Sequence, residues 1–182
     1  MQQLDKFKLP HNFRGRSSII VQLWWFTDFF FFKLSPQIMY GWRRFLLRLF
    51  GAKIGKNVII RPSVAITYPW KISIGDNTWI GDNTELYSLG DIEIGKNVVV
   101  SQKSYLCAAS HRYDTENFPI YSQKITIEDE CWLATDVYVA PGVTIGKGTV
   151  VGARSSVFKN LPGGKVCLGS PAKIIKDRII EE

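Results

Sequence analysis

The sequence predicts an all-β repeat protein: a parallel β-solenoid of triangular cross-section behind a helical N-terminal segment. Three observations carry this reading. From residue 127 the chain runs IEDECW, LATDVY, VAPGVT, IGKGTV, VGARSS, VFKNLP, six consecutive hexads that open on Ile127, Leu133, Val139, Ile145, Val151 and Val157. Upstream, IGKNVI, IGDNTW and IGKNVV open on Ile54, Ile74 and Ile94, twenty residues apart. A period of six is neither helical nor the alternation of an ordinary strand. Three short strands per turn explain it. The opening residue of each hexad points into a narrow core, so it must be apolar. Gly or Ala at the second position of four of the six, and the mostly small or β-branched fifth residues Cys131, Val137, Val143, Thr149, Ser155 and Leu161, permit the corners. Two extra residues per turn account for the period of twenty in the upstream half.

The elements follow in order. Residues 1–53 are a basic, aromatic helical cap, with nine Lys/Arg against two Asp/Glu and thirteen of the 24 aromatic residues. Residues 54–182 carry fourteen charges of each sign, so the whole excess of +7 lies in the N-terminal segment. The run IIVQLWWFTDFFFF, residues 19–32, spans 14 residues and includes Gln22, Thr27 and Asp28. That is short of the roughly 20 apolar residues a membrane span requires. No small-residue cleavage site follows it, so it does not read as a signal peptide. In SPQIMYGWRRFLLRLFGAKIG, Ser35 is a candidate cap, Pro36 suits a first turn, and Gly51 is a natural stop. Two readings of this segment stand together: a cap on the open end of the repeat, and a peripheral contact of residues 17–50 with an anionic membrane. No nucleic-acid-binding motif accompanies the charge.

Residues 54–168 form the solenoid, broken once by an extruded loop at 111–124. Leu106 is the last inward residue before the break. The next inward position falls on Arg112, which cannot fill the core, and the coil resumes at Ile125 or Ile127. From Ile94 to Ile127 is 33 residues, thirteen beyond the local period. A long loop inside a compact repeat points to function. His111, one of two histidines, sits at its base. His11 lies in a polar stretch and reads as plain surface. Residues 169–182 are expected to be a helical tail. Cys107, Cys131 and Cys167 form no CxxC pair, and so sparse an odd set argues for a reducing, cytoplasmic compartment.

The repeat resembles the hexapeptide-repeat acyltransferase superfamily over residues 51–178. RLFGAKIG, YPWKISIGD and SHRYD followed by FP are similar to O-acetyltransferases of the colanic acid (exopolysaccharide) biosynthesis type, and VCLGSPAKIIKDR resembles the superfamily's GxPAKxIxxR ending. The resemblance implies a left-handed parallel β-helix, a homotrimer, acetyl-CoA as co-substrate without a metal, and a sugar as acceptor; the charge asymmetry of the N-terminal segment suits a lipid-linked oligosaccharide acceptor at the inner face of the membrane. It implies His111 as general base in a groove between chains, for which imidazole suits because it titrates near neutral pH. Asp114 is expected to orient His111, to touch a sugar hydroxyl, or to be a solvated loop charge. Carried over by position, the donor site comprises Trp132, Ala134, Thr135, Gly152, Ala153, Phe158, Lys159, Lys173, Lys176 and Arg178, with Arg154 a further phosphate partner. Family members often carry a small hydroxyl residue where Phe158 stands. Cys107 is either a corner filler or a nucleophile paired with the histidine. Tyr113, Phe118 and Tyr121 either stack on sugar rings or anchor the loop.

Three rival functions are weighed. A zinc enzyme on the same scaffold requires three histidines, and the repeat region holds one. A non-catalytic scaffold would not need the coenzyme-binding ending. An amino sugar, serine or antibiotic acceptor is not distinguished by fold.

Overall fold

A computed structural model describes residues 1–180 of the chain and consists of six stacked coils behind two helices. The hexad register appears directly in the strand pairing. On one face Ile54, Ile74, Ile94, Ile127 and Ile145 stand in parallel register, and a bridge from Ile145 extends the column to Leu161. On the second face the column is Ile60, Ile80, Val100, Leu133, Val151 and Cys167. On the third it is Ile66, Leu86, Leu106, Val139 and Val157. All of these side chains are buried and belong to one core.

The corners are built from two devices. Asn57, Asn77 and Asn97 take φ of 54, 57 and 55°, the left-handed region that a short polar side chain tolerates. Small hydroxyl residues inside the corners then satisfy turn carbonyls, as where Thr78 Oγ1 donates to Gly95 O at 2.7 Å and Thr149 Oγ1 to Pro162 O at 2.6 Å. This is the physical meaning of the small fifth position.

The outward residues give the three faces different characters. The first displays Lys53, Ser73, Glu93, Thr126 and Thr144. The second displays Ile59, Trp79, Val99, Trp132, Val150 and Val166, and is apolar. The third carries an aromatic ladder, Tyr87, Tyr105, Tyr138 and Phe158, with ring centroids 6.0, 5.8 and 5.6 Å apart.

Helix α1, Ser18–Thr27, buries Val21 and Trp24, whose indole N–H donates to Ile66 O at 3.0 Å. The chain continues as a π-helix, Asp28–Lys33, which turns Phe32 inward and leaves Phe29, Phe30 and Phe31 exposed. Helix α2, Tyr40–Leu49, begins four residues later than a cap at Ser35 predicts. Ser35 instead closes the preceding helix by donating to Phe32 O, and Pro36 sits in a separate turn that Met39 N–H completes. Gly51 ends the helix at φ +95°, as expected. The arginines of α2 have a specific use. Arg43, fully buried, donates to Ile60 O, Pro36 O and Gln37 O. Arg44 donates to Val58 O, and Arg48 to Ile54 O and Gly55 O. The first coil has no preceding coil to take its carbonyls, and the guanidinium forks supply the missing donors.

The C-terminal tail is not helical, which corrects the expectation for residues 169–182, of which the last two lie outside the described residues. Lys165–Leu168 forms the last coil strand, and Lys173–Asp177 folds back on it antiparallel. That strand edge is otherwise open, and the β-branched pair Ile174 and Ile175 favours pairing with it over a helix.

Candidate active site

The sixfold rhythm breaks at a hairpin. After Tyr105–Cys107 the chain leaves the coil at Ala108, and Ala109–His111 pairs antiparallel with Ile120–Ser122. His111 therefore has a backbone fixed by a ladder, opposite Ile120. Its Nδ1 lies 2.9 Å from Phe118 O. A carbonyl only accepts, so Nδ1 carries the proton and Nε2 keeps its lone pair. The Phe118 ring stacks on the imidazole at 4.3 Å between centroids and 6° between planes. Phe118 adopts φ +44°, an uncommon conformation for this residue type, and its carbonyl and ring both meet His111. Sequence reasoning gave Phe118 a sugar-stacking or anchoring role and missed its carbonyl; its only signal was its place seven residues beyond the histidine.

Asp114 does not orient the histidine. It forms a two-pronged pair with Arg112, at 3.2 and 2.9 Å, and the guanidinium holds its carboxyl below the ordinary range. Tyr113 is exposed and Tyr121 partly so. Cys107 is buried and its thiol donates to Ala109 O at 3.1 Å, an arrangement for filling a corner.

The donor positions fall into two groups. Ala134, Thr135, Gly152, Ala153 and Arg154 follow the strands of the second face and occupy the edge between the second and third faces. The ladder uses the N–H groups of Ala134, Gly152 and Arg154, which donate to Val151 O, Cys167 O and Thr135 O. Among the described residues, the N–H groups of Thr135 and Ala153 have no backbone partner. Gly152 has a packing reason: a Cβ there would meet Leu168 Cδ2 at 1.7 Å. Trp132 is about half exposed beside this edge, and its Nε1–H donates to Ser101 Oγ at 3.0 Å. Lys173 and Lys176 pair with Leu168 and Val166 across a register shift, so both project from one side of the last strand pair. Arg154 faces Asp136 at 3.7 Å.

Phe158 and Lys159 lie elsewhere. They follow the third-face strand Ser156–Val157, at the edge from which the His111 hairpin also emerges. The aromatic third face separates this edge from the first group within one chain. Arg178 is also apart: it donates to Glu130 O at 2.8 Å and Gly148 O at 3.0 Å, at the corner between the first and second faces, fastening the tail. Among the described residues, no group of three His, Cys, Asp or Glu side chains is arranged to hold a metal ion.

Comparison with known proteins decides the class. The model "Bacterial transferase hexapeptide (six repeats)" matches residues 124–159, and "Hexapeptide repeat of succinyl-transferase" matches 71–102. The provisionally named colanic acid biosynthesis acetyltransferase WcaF of Escherichia coli (strain K12) is 60% identical over 182 residues, all of both chains. This chain belongs to the hexapeptide-repeat acetyltransferases. The galactoside O-acetyltransferase of the same organism is 33% identical over 74% of this chain and 68% of its own. Among solved structures, a maltose O-acetyltransferase from Clostridium difficile 630 superposes with TM-score 0.81 at 27% identity, covering 91% of this chain and 90% of its own. A hexapeptide-repeat acetyltransferase from Vibrio cholerae O1 biovar eltor, solved with acetyl coenzyme A, superposes at 0.82 with 25% identity over 91% and 92%. The protein is an acetyl-CoA-dependent O-acetyltransferase on a parallel β-solenoid, similar over its full length to WcaF.

Proposed function

We propose that this acetyltransferase acts on a sugar hydroxyl in exopolysaccharide assembly, with His111 as general base, in a site shared between the chains of a homotrimer. The observation that carries the reading is the His111–Phe118 geometry, which leaves Nε2 free to accept a proton. Acetyl-CoA supplies a thioester carbonyl. His111 Nε2 takes the hydroxyl proton as the oxygen attacks that carbonyl, and returns the proton to the departing thiolate. Such a base contributes about 10²–10⁴-fold, and alignment of the two substrates supplies much of the remainder.

The donor edge fits the coenzyme. The N–H groups of Thr135 and Ala153 are available to amide carbonyls of its arm, Trp132 offers an apolar wall, and Lys173 and Lys176 stand on one side for its phosphates. Arg178, already committed to two carbonyls, contributes by anchoring the tail. The separation of the two edges supports the trimer. One chain's hairpin edge, with Phe158 and Lys159, meets the Ala134–Gly152 edge of the next, and a heterologous contact of this kind closes a ring. The apolar second face and the aromatic third face flank the donor edge and suit such packing.

The N-terminal segment adds a location. No helix among the described residues is long and apolar enough to cross a membrane. Yet Trp25, Phe26, Phe29, Phe30, Phe31 and Phe45 are all exposed at one end of the molecule, where the net charge is +7. The three outward phenylalanines of the π-helical turn make an exposed apolar surface suited to a bilayer interface. The reading places residues 17–50 on the anionic inner face of the membrane, near a lipid-linked acceptor. Binding to vesicles containing anionic lipid, lost on Phe29→Asp with Phe30→Asp and absent with neutral vesicles, is the expected result. Equal recovery of wild type and variant with both vesicle types contradicts it. For the chemistry, the test is acetyl transfer to a panel of sugars and lipid-linked oligosaccharides read by product mass. Acetylation of a hydroxyl on one of them is expected; transfer only to amines overturns the sugar-hydroxyl acceptor.

A further inference from the structure

The N-terminal arm touches the histidine hairpin, more than a hundred residues away in sequence. Gln3 N–H donates to Glu116 O at 2.8 Å, and Lys6 Nζ pairs with Glu116 Oε2 at 2.9 Å. The Phe7 ring lies 5.9 Å from the His111 ring, tilted by 51°. Residues Leu4–Lys6 form a short 3₁₀ turn that presents Lys6 and Phe7 together. These contacts meet the hairpin at the tip, through Glu116, and at its catalytic base, through His111.

The base of the hairpin packs through Ala109 and Ile120 onto Val21, Tyr68 and Leu89, and the tip is the part that the arm supports. The hairpin is two-stranded, with three residue pairs in register, Ala109–Ser122, Ser110–Tyr121 and His111–Ile120. Two-stranded hairpins standing alone are marginal in water. Beyond the ladder, the tip holds itself by short local bonds: Arg112 N–H to Pro119 O, Thr115 Oγ1 to Arg112 O, and the Arg112–Asp114 pair. None of these reaches the coil. The group that fixes the imidazole, Phe118, is in this tip, so any sway of the tip moves both the carbonyl at Nδ1 and the stacked ring.

We infer that residues 3–7 form a positioning arm for His111, in which Phe7 packs against the imidazole and Lys6 with Gln3 holds the tip through Glu116. This rests on the reading of His111 as general base. Phe7 is a positioning residue and touches no reacting atom. A small displacement of a catalytic group costs up to about a hundredfold in rate, so the arm acts on turnover and leaves donor binding alone.

The test uses the full-length protein in a His11→Gln background, which leaves His111 as the single histidine for NMR. With Phe7→Ala, the His111 ring-proton resonances are expected to shift and broaden and kcat to fall about 10- to 100-fold. The KM for acetyl-CoA stays within about twofold, because the donor edge is separate, and Phe7→Tyr restores both signals. Lys6→Glu lowers kcat in the same way, and adding Glu116→Lys recovers it, which a general loss of folding would not do. His111 resonances and kcat unchanged in Phe7→Ala would overturn the arm. If His111→Ala itself keeps wild-type turnover, the base reading fails, and the NMR signature still reports whether Phe7 sets the ring.

Discussion

On the proposed reading, His111 works because its two nitrogens have different surroundings. The Phe118 carbonyl fixes the tautomer, and stacking fixes the plane, so Nε2 is presented without a carboxylate partner. Asp114→Asn is therefore expected to change kcat by less than about threefold, a direct contrast with the triad logic in which the acid orients the base. A steady-state assay that showed a loss of about 10⁴-fold would place Asp114 in the machinery after all. A second residue-scale expectation concerns stability. Asp28 is buried beside Lys33, with Oδ1 unpartnered, and burial raises its pKa above 3.8 even though Lys33 pulls it down. A raised acid pKa means the folded state favours the neutral form. Its contribution is fully favourable below the unfolded pKa and is lost as pH rises through the folded value. Asp28→Asn should accordingly raise Tm at pH 7 relative to wild type and bring no gain near pH 3, as thermal unfolding at the two pH values will show. The place of His111 at the base of an excursion was legible in the sequence, since the break in the repeat falls beside it. The role of Phe118 was not legible, because it depends on one left-handed φ in an irregular loop.

At the scale of elements, the hexads were legible because each inward position must be apolar, and the predicted columns are the observed ones. The two ends were harder. There the pattern stops and edge chemistry takes over: arginines cap the first coil and a strand covers the last. The charge asymmetry that suggested a surface for anions also supplies donors for orphaned carbonyls. Arg43→Ala removes donors from Ile60 O, Pro36 O and Gln37 O and is expected to cost on the order of 3 kcal/mol, measured by denaturant unfolding. Arg43→Lys recovers only part of this, since an ammonium lacks the planar fork. The tail was expected to be helical. Two β-branched residues beside an open sheet edge decide otherwise, and the register shift keeps Lys173 and Lys176 on one side.

For the whole molecule, the main consequence of the proposed reading is that His111 and the donor residues lie on two edges of one prism. A chain alone brings His111 to one edge and the Thr135–Ala153 group to another. The proposed reading therefore requires sites shared between chains, which complementation tests. Chains carrying His111→Asn, mixed and reassembled with chains carrying Ala153→Trp, should regain a measurable part of wild-type activity, although each variant alone is strongly impaired. No recovery, in mixed assemblies shown to form, would mean that each chain holds its own complete site. The repeat made the scaffold readable from sequence, whereas the partition of the site between edges required the coil register in three dimensions. The most direct test of the central claim is single-turnover acetyl transfer by wild type and His111→Asn, alongside acetyl-CoA binding measured by calorimetry. The account predicts a rate lowered by about 10²–10⁴-fold with acetyl-CoA affinity unchanged; a variant that transfers acetyl at the wild-type rate would contradict it.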